Sequence, residues 1–363
     1  MRTLPAESQG VLSPTPASSK TQVVLCSEQE CDLWDQFVTA TRDSTIAHLF
    51  CWQRVVQEAY GHRGFYLIAS KGREIVGVLP LVRVKGFWLG NTLCSMPFLD
   101  YGGILAPEPV VVQLLLNHAL TLRDKCRADA LELRHQQPVE AGGELRLDKV
   151  SMVLDISAGR DGVWNNLPAK VRNQVRKAAK EGLCTHFGGA DLLEEFYSVF
   201  AVNMRELGSP VHNMAFFAAI LKHFRKDAGV IVVREGTKTV GGLLYLFYKE
   251  SIIVPWASSL RNYFSKCPNN LLYWEAMQMA CGRACHSFDF GRSSIGSGTY
   301  KFKEQWGAKP VQLNWQLFPR KNLPAPTPLS QNPKYLLAAR LWRHLPLSVT
   351  ILLGPHIRKF ITN

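Results

Sequence analysis

The 363-residue chain is defined first by what it lacks. No stretch supplies the run of about 20 apolar residues that a membrane-crossing helix needs, which excludes a polytopic membrane protein. The first twenty residues, MRTLPAESQGVLSPTPASSK, hold no apolar segment of the kind a secretory signal requires. They read as a Pro/Ser-rich disordered leader, expected over residues 1–22. The nine cysteines, at 26, 31, 51, 94, 126, 184, 267, 281 and 285, have no framework spacing. An odd, scattered count in a long chain points to reduced thiols. Cys281, Cys285 and His286 lie close together, but no second pair follows at zinc spacing, so no metal site is expected. No long parallel βαβαβ run is present, which excludes a dinucleotide-binding fold. Acidic residues are scarce: 29 Asp plus Glu against 42 Lys plus Arg leave a net charge of +13. That surplus favours anionic partners such as nucleic acid, phosphorylated ligands or an anionic membrane face. The charge is not gathered into a known nucleic-acid reader motif, so duplex DNA is not an expected partner. A cytoplasmic protein is expected, with peripheral contact at the inner membrane left open.

Apolar residues make up 47% and charged residues 20%. These values fit a globular chain, and the length favours two domains. Helical spacing is expected through about 25–60, a β-hairpin over 65–82, a helix over 110–126 and strands at 131–135 and 149–156. A second run begins near Asp161. It reads as a helix over 162–181, a strand at 184–187, and helices 191–207 and 214–225. Strands 229–234, 240–249 and 251–258 follow, then helix 269–283, strand 287–290, a short helix 299–306 and strand 311–318. The expected division is an N-terminal domain over 23–157, a C-terminal domain over 158–320, and a linker with an amphipathic tail over 321–363. The tail is basic and broken by Pro346 and Pro355. It either packs on the domain or lies at a membrane interface.

Four segments carry chemistry-bearing residues. In LPAKVRNQVRKAAKEG (167–182), Arg172, Arg176 and Lys180 form one stripe at about 100° per residue, opposite Val171, Val175 and Ala178. The stripe is either a solvated face or a surface for phosphates. In FDFGRSSIGSGTYKFKEQWGA (288–308), a strand runs into a glycine- and serine-rich loop. Arg292, Ser293 and Ser294 suit phosphate or an oxyanion, Lys301 and Lys303 follow at a helix start, and Asp289 either orients Arg292 or acts as a base. The alternative is an Asp–Arg bridge over a glycine turn. PWASSLRNY (255–263) follows a strand directly and has no glycine, so Ser258, Ser259 and Arg261 are the groups there able to hold a phosphate, beside Trp256. In PFLDYGG (97–103), Asp100 and Tyr101 either face a shared cleft or form a capped turn.

The order of helices, meandering strands, helix, strand, helix and strand resembles an N-acyltransferase fold of the GNAT type. The motifs are more specific. AYGH (59–62), GVLPLV (77–82), PFLDYGG, LELR (131–134), KVRNQVRKA (170–178), NMRELGSPV (203–211), VPWASSLR (254–261), NNLLYW (269–274), FDFGRSS (288–294) and TYKFKEQWGA (299–308) occur in order. Together they resemble the FemAB family, and within it the branch associated with exosortase (PEP-CTERM) exopolysaccharide loci. The resemblance covers about residues 50–318.

The resemblance implies an α+β chain of tandem GNAT-like domains, with mixed sheets flanked by helices and a cleft between them. No charged heptad hairpin occurs, so the coiled-coil arm of several relatives is not expected. It implies transfer of an activated acyl or aminoacyl group to an amine of a cell-envelope precursor, without metal or tightly bound cofactor. The donor would be aminoacyl-tRNA or an acyl-CoA, and the acceptor an anionic nucleotide- or lipid-linked glycan. The conserved lysine near the donor maps onto Lys303. Beside the resemblance, the residues themselves suggest that Asp289 or Asp100, or else the substrate itself, accepts the proton, and that the basic face of Arg172 and Arg176 attracts the anionic acceptor. Three rivals remain at this stage: an acyl-CoA-dependent transferase acting on a nucleotide-activated amino sugar, a non-catalytic binding subunit of a polysaccharide assembly system, and, ranked last, a nucleic-acid-binding protein.

Overall fold

The computed structural model describes residues 20–86, 90–323 and 332–362. Most of the expected leader, residues 1–19, and most of the Pro-rich linker, residues 324–331, lie outside the described residues.

The first part of the chain forms β1 (Gln22–Leu25), α1 (Cys31–Ala40), α2 (Cys51–Tyr60), β2 (Arg63–Lys71), β3 (Glu74–Lys85), β4 (Asn91–Cys94), α3 (Pro109–Lys125), β5 (Ala130–His135), β6 (Glu144–Arg146) and β7 (Lys149–Asp155). The second forms α4 (Gly159–Asn166), α5 (Ala169–Lys180), β8 (Leu183–Gly188), α6 (Leu193–Leu207), α7 (Met214–Phe224), β9 (Ala228–Glu235), β10 (Lys238–Tyr248), β11 (Ser251–Ser259), α8 (Pro268–Gly282), β12 (Ser287–Ser294), α9 (Gly298–Glu304), β13 (Lys309–Gln312) and β14 (Asn314–Pro319). The tail adds α10 (Pro333–Trp342) and α11 (Leu347–Arg358).

The helix expected over 162–181 is two helices. Pro168 has no N–H to continue the ladder and forces Leu167 into an extended conformation at ψ 139°, so the chain turns between α4 and α5. Val171, Val175 and Ala178 of α5 are buried, as their spacing requires.

Two seven-stranded sheets result, in the orders β1-β2-β3-β4-β5-β14-β6 and β13-β7-β12-β11-β10-β9-β8. Both follow one plan. Four strands form an antiparallel meander, a helix (α3 or α8) crosses over, and the next strand pairs parallel with the last of the meander. Two further antiparallel strands complete each sheet.

The sheets exchange strands across the expected domain boundaries. The strand at 149–156, grouped by sequence with the N-terminal domain, is β7, and it pairs with β12 and β13 of the second sheet. The single strand expected at 311–318 is split at Leu313. Its first piece, β13, pairs with β7, and its second, β14, enters the first sheet between β5 and β6. Asn314 to Phe318 are all buried, so β14 needs ladder partners on both edges and cover on both faces.

One continuous core joins the halves, with Trp34, Trp52 and Tyr66 from the first and Phe196, Phe216, Phe217 and Trp256 from the second. The α2 helix lies against α7, with the rings of Trp52 and Phe224 centred 4.8 Å apart and Tyr60 stacked on Phe216 at 5.4 Å. The second half of the tail packs on this body. Thr350, Gly354 and Arg358 form the buried stripe of α11, and a Cβ on Gly354 would meet Val211 at 3.0 Å.

Candidate active site

The β11 and β12 strands pair over three positions only, Ser251–Ile253 against Ser287–Asp289. The register of β12 against β7 slips between Asp289 and Arg292, and Gly291 sits at the slip with φ 74°. A Cβ there would lie 3.2 Å from the Val254 carbonyl oxygen. Both the left-handed conformation and the close approach require glycine. The two strands then part around a cavity of about 250 Å³. Pro255, Trp256 and Ala257 line it from β11, and Phe290 and Arg292 from β12. The loop after β4 closes it from the first half with Phe98, Leu99, Asp100 and Tyr101, and α11 contributes Arg358. A second pocket of about 710 Å³ lies beside it, bounded by the end of β11 and the start of α8. The two share Asn203, Leu207, Ala257 and Lys303.

Lys303 stands between them because α9 is capped to put it there. The Ser297 hydroxyl accepts the Tyr300 N–H at 3.2 Å and starts the helix, which turns Lys303 inward. Its Nζ donates to the carbonyls of Gly291 (2.8 Å) and Arg292 (3.0 Å). The side chain is 7% exposed. Burial pushes its pKa from 10.5 down to about 8; Asp289 and Asp100 pull it back up, and Arg292 opposes them.

Asp100 and Arg292 form a pair across the halves. The Arg292 backbone N–H donates to Oδ2 of Asp100 at 3.1 Å, and its Nε lies 3.3 Å from Oδ1. The guanidinium stands 5.1 Å from the centre of the Trp315 ring, whose own N–H donates to the Asp100 carbonyl at 3.0 Å. Asp289 has a different setting. It does not line the cavity, and three donors occupy its oxygens: Tyr101 Oη at 2.6 Å, Ser151 Oγ, and the Gly291 N–H at 2.8 Å. Burial raises its pKa against those bonds. The carboxylate therefore ties Tyr101 of the first half to the bulge of β12.

The other expected residues divide between the two spaces. Ser258, Ser259 and Arg261 line the larger pocket. Ser258 Oγ accepts from Asn203 at 2.9 Å, Ser259 Oγ donates to Asn269 at 2.7 Å, and Arg261 pairs with Glu206 at 2.9 Å. Tyr101 and Trp256 wall the smaller cavity. Ser293 is buried, with no partner for its hydroxyl among the described residues, and Ser294 accepts from Lys149 at 2.5 Å; neither lines a cavity. Lys301 is exposed on α9. Arg172 and Arg176 lie on α5 outside both spaces, with the Arg176 guanidinium 5.2 Å from the Trp164 ring; Gln174, between them in sequence, lines the larger pocket.

Among the polar residues lining the smaller cavity, Asn203, His212 and Arg358 were not expected as site residues. Arg358 Nε donates to His212 Nε2 at 3.0 Å. A guanidinium only donates, so His212 must accept there, and its Nδ1–H faces Tyr60 Oη at 2.6 Å. Burial holds His212 well below the usual histidine range, which fits this neutral form. The spacing of Thr350, Gly354 and Arg358, four residues apart, was the readable sign of a buried tail stripe ending in a cation.

No curated protein matches the chain in sequence. Residues 166–304 match the acetyltransferase (GNAT) domain family. Among solved structures, FemX is similar at TM-score 0.63 and 15% identity, covering 81% of this chain and 96% of its own. L-PGS from Bacillus licheniformis gives 0.53 at 13% identity, covering 87% and 96%. A tandem GNAT protein from the clavulanic acid biosynthesis pathway gives 0.55 at 12% identity, covering 85% and 99%. The strand plan, the splay of β11 from β12 and these likenesses agree: the chain carries a GNAT-type acetyltransferase domain over 166–304 within a tandem GNAT fold.

Proposed function

We propose that the protein is an N-acyl or aminoacyl transferase. The activated donor enters the larger pocket, the acceptor amine enters the cavity between the halves, and they react beside Lys303. The observation that carries this reading is that Lys303 lines both spaces. The larger pocket falls in the size range of small-molecule sites, about 300–1,000 Å³.

The chemistry needs two substrates aligned, a neutral amine and a stabilised oxyanion. The amine nitrogen attacks the donor carbonyl, a C–N bond forms, and the electron pair moves onto the carbonyl oxygen. Collapse of the tetrahedral centre expels the thiolate or alkoxide. The Lys303 ammonium stabilises this developing negative charge. Asp100, the carboxylate lining the cavity, takes the proton from the attacking amine. Asp289 acts as a positioning residue through Tyr101 and the β12 bulge. Ser258, Ser259 and Arg261 hold donor phosphate, and Arg172 and Arg176 draw anionic substrate toward the α5 side.

The motif set resembling the exosortase-associated FemAB branch supports a cell-envelope glycan precursor, nucleotide- or lipid-linked, as acceptor. A lipid-linked acceptor also fits the tail. Leu337 and Leu341 are exposed on α10, with Lys334, Arg340 and Arg343 close in sequence, and Leu352 is exposed on α11, a composition suited to an anionic membrane surface. Sedimentation with anionic vesicles, lost when Leu337 and Leu341 become Ser, tests that contact.

A donor screen on the purified protein tests the reaction. Acetyl-CoA, longer acyl-CoAs and charged tRNA are offered with an amino-sugar acceptor, and acyl transfer is measured. Turnover with charged but not uncharged tRNA supports aminoacyl transfer. Turnover with acyl-CoA alone supports the amino-sugar acyltransferase reading. Binding of glycan without turnover from any donor overturns the transferase.

A further inference from the structure

We infer that the C-terminal helix is part of the substrate site: Arg358 and Arg292 form a two-arginine cradle for a phosphate-class oxyanion of the acceptor, with Lys303 adding positive charge beside it rather than a bond. The transferase reading enters only in assigning that anion to the acceptor.

Three cations line the cavity between the halves against one lining carboxylate, Asp100; Asp289, behind the wall, is the other acid that acts on Lys303. Two of the three are more than nine-tenths buried: Lys303 is 7% and Arg358 8% exposed. Their partners are neutral. Lys303 bonds two carbonyls, while Arg358 bonds the His212 ring and, through Nη1 at 3.3 Å, the Ile361 carbonyl. Among the described ion pairs neither has an acidic partner, and Arg292 is among the charges opposing protonation of Arg358. Uncompensated buried charge is costly, so the arrangement is understandable when a ligand brings the counter-charge. A phosphate-class anion supplies that counter-charge and offers several oxygens in the geometry that arginine forks bind.

Arg358 is held from behind. Tyr60 and His212 fix its Nε, and the chain end pins the tail. The Thr362 carbonyl accepts from the Phe98 N–H at 2.8 Å and from Arg134 Nη2 at 2.9 Å. The His62 ring lies 2.6 Å from the Lys359 carbonyl. The tail is thus bonded to the loop that forms the opposite wall of the cavity. Loss of α11 would remove a ligand-binding cation as well as a packed helix.

The test uses the full chain and inorganic pyrophosphate, measured by calorimetry against chloride at matched ionic strength. Saturable binding is expected in the wild type, at least tenfold weaker in Arg358→Gln, intermediate in Arg358→Lys, and unchanged in Lys71→Gln on the exposed end of β2. In the wild type, pyrophosphate should also slow amide exchange over residues 347–362, a readout that does not depend on any variant folding. Pyrophosphate binding no tighter than chloride, Arg358→Gln binding within twofold of wild type, or exchange in the tail that does not respond would each overturn the cradle. Displacement of pyrophosphate by glucosamine 1-phosphate supports the acceptor assignment; displacement by coenzyme A alone overturns it. Tight binding without turnover from any donor would remove the transferase and leave the cradle standing.

Discussion

Lys303 allows one consequence to be worked through in numbers. Its pKa in the folded protein is about 8, against 10.5 for a free lysine side chain. That difference disfavours the charged form by about 3 kcal/mol. Below pH 8 the group is protonated both folded and unfolded, and the folded state bears the desolvation cost in full. As pH rises through 8 the folded protein releases the proton, whereas the unfolded chain keeps it until about 10.5. The unfolded state then binds more protons, so the contribution of Lys303 to stability rises with pH across that window. Asp289, Asp100 and Arg292, the charges facing the ammonium, set its position. Urea denaturation of wild type and Lys303→Met from pH 7 to 10.5 isolates the effect, because the other titrating groups are common to both. The wild type should gain on the variant by about 3 kcal/mol over this range. Catalysis should move the opposite way. If the ammonium stabilises the oxyanion, kcat/KM falls above pH about 8, and Lys303→Met loses about 10²–10³ in kcat. Parallel stability curves would refute the burial argument. An alkaline limb surviving in the Met variant would refute the catalytic assignment.

Three further outcomes follow from the geometry. Gly291→Ala should lose about 1–2 kcal/mol from the left-handed backbone alone, read as a lower urea midpoint, with reduced transfer as the β12 bulge shifts. Tyr101→Phe removes a hydrogen bond to a buried carboxylate, so about 1.5–3 kcal/mol of stability should go. If Asp289 instead served as the base, the same variant would alter the acidic limb of the rate profile in addition to that loss. Arg261→Ala removes an exposed arginine from its pair with half-buried Glu206, so stability should stay within about 1 kcal/mol, while donor KM rises if the larger pocket takes the donor.

Part of this site could be read from the chain because it is local. The stripe of Val171, Val175 and Ala178 fixed the inward face of α5, and the run from Phe288 through Trp306 announced a strand, a glycine break and a capped helix. Locality placed Lys301 and Lys303 together after that glycine break, and the family resemblance singled out Lys303 between them. Arg358 and Asp100 did not share that advantage. Their relation to Lys303 depends on contacts hundreds of positions apart, and no period along α11 says which wall it meets. The setting of Asp289 was hidden for a related reason: two of its three donors, Tyr101 and Ser151, come from distant segments, and sequence spacing does not reveal those bonds. The division at 157/158 met the same limit. Alternation marks a strand but not the sheet it joins, so β7 and β14 gave no local sign of crossing.

That crossing explains why the cations sit where they do. A chain of two separate tandem domains would meet at an interface of side chains alone. Here β13 and β14 are separated only by Leu313 and belong to different sheets, so the two sheets are held in fixed relation by backbone pairing. Trp315 of β14 carries the result to the site. Its ring lies 4.2 Å from the Arg134 guanidinium of the first sheet and 5.1 Å from that of Arg292 of the second, and its N–H holds the loop of Asp100. An aromatic face attracts both arginines and costs no proton exchange. The strand exchange therefore brings together Asp100, Arg292 and, through the β12 bulge, Lys303, while the tail adds Arg358 from the remaining side. Each wall comes from a different part of the chain, and the site is complete only when both sheets and the tail are folded together.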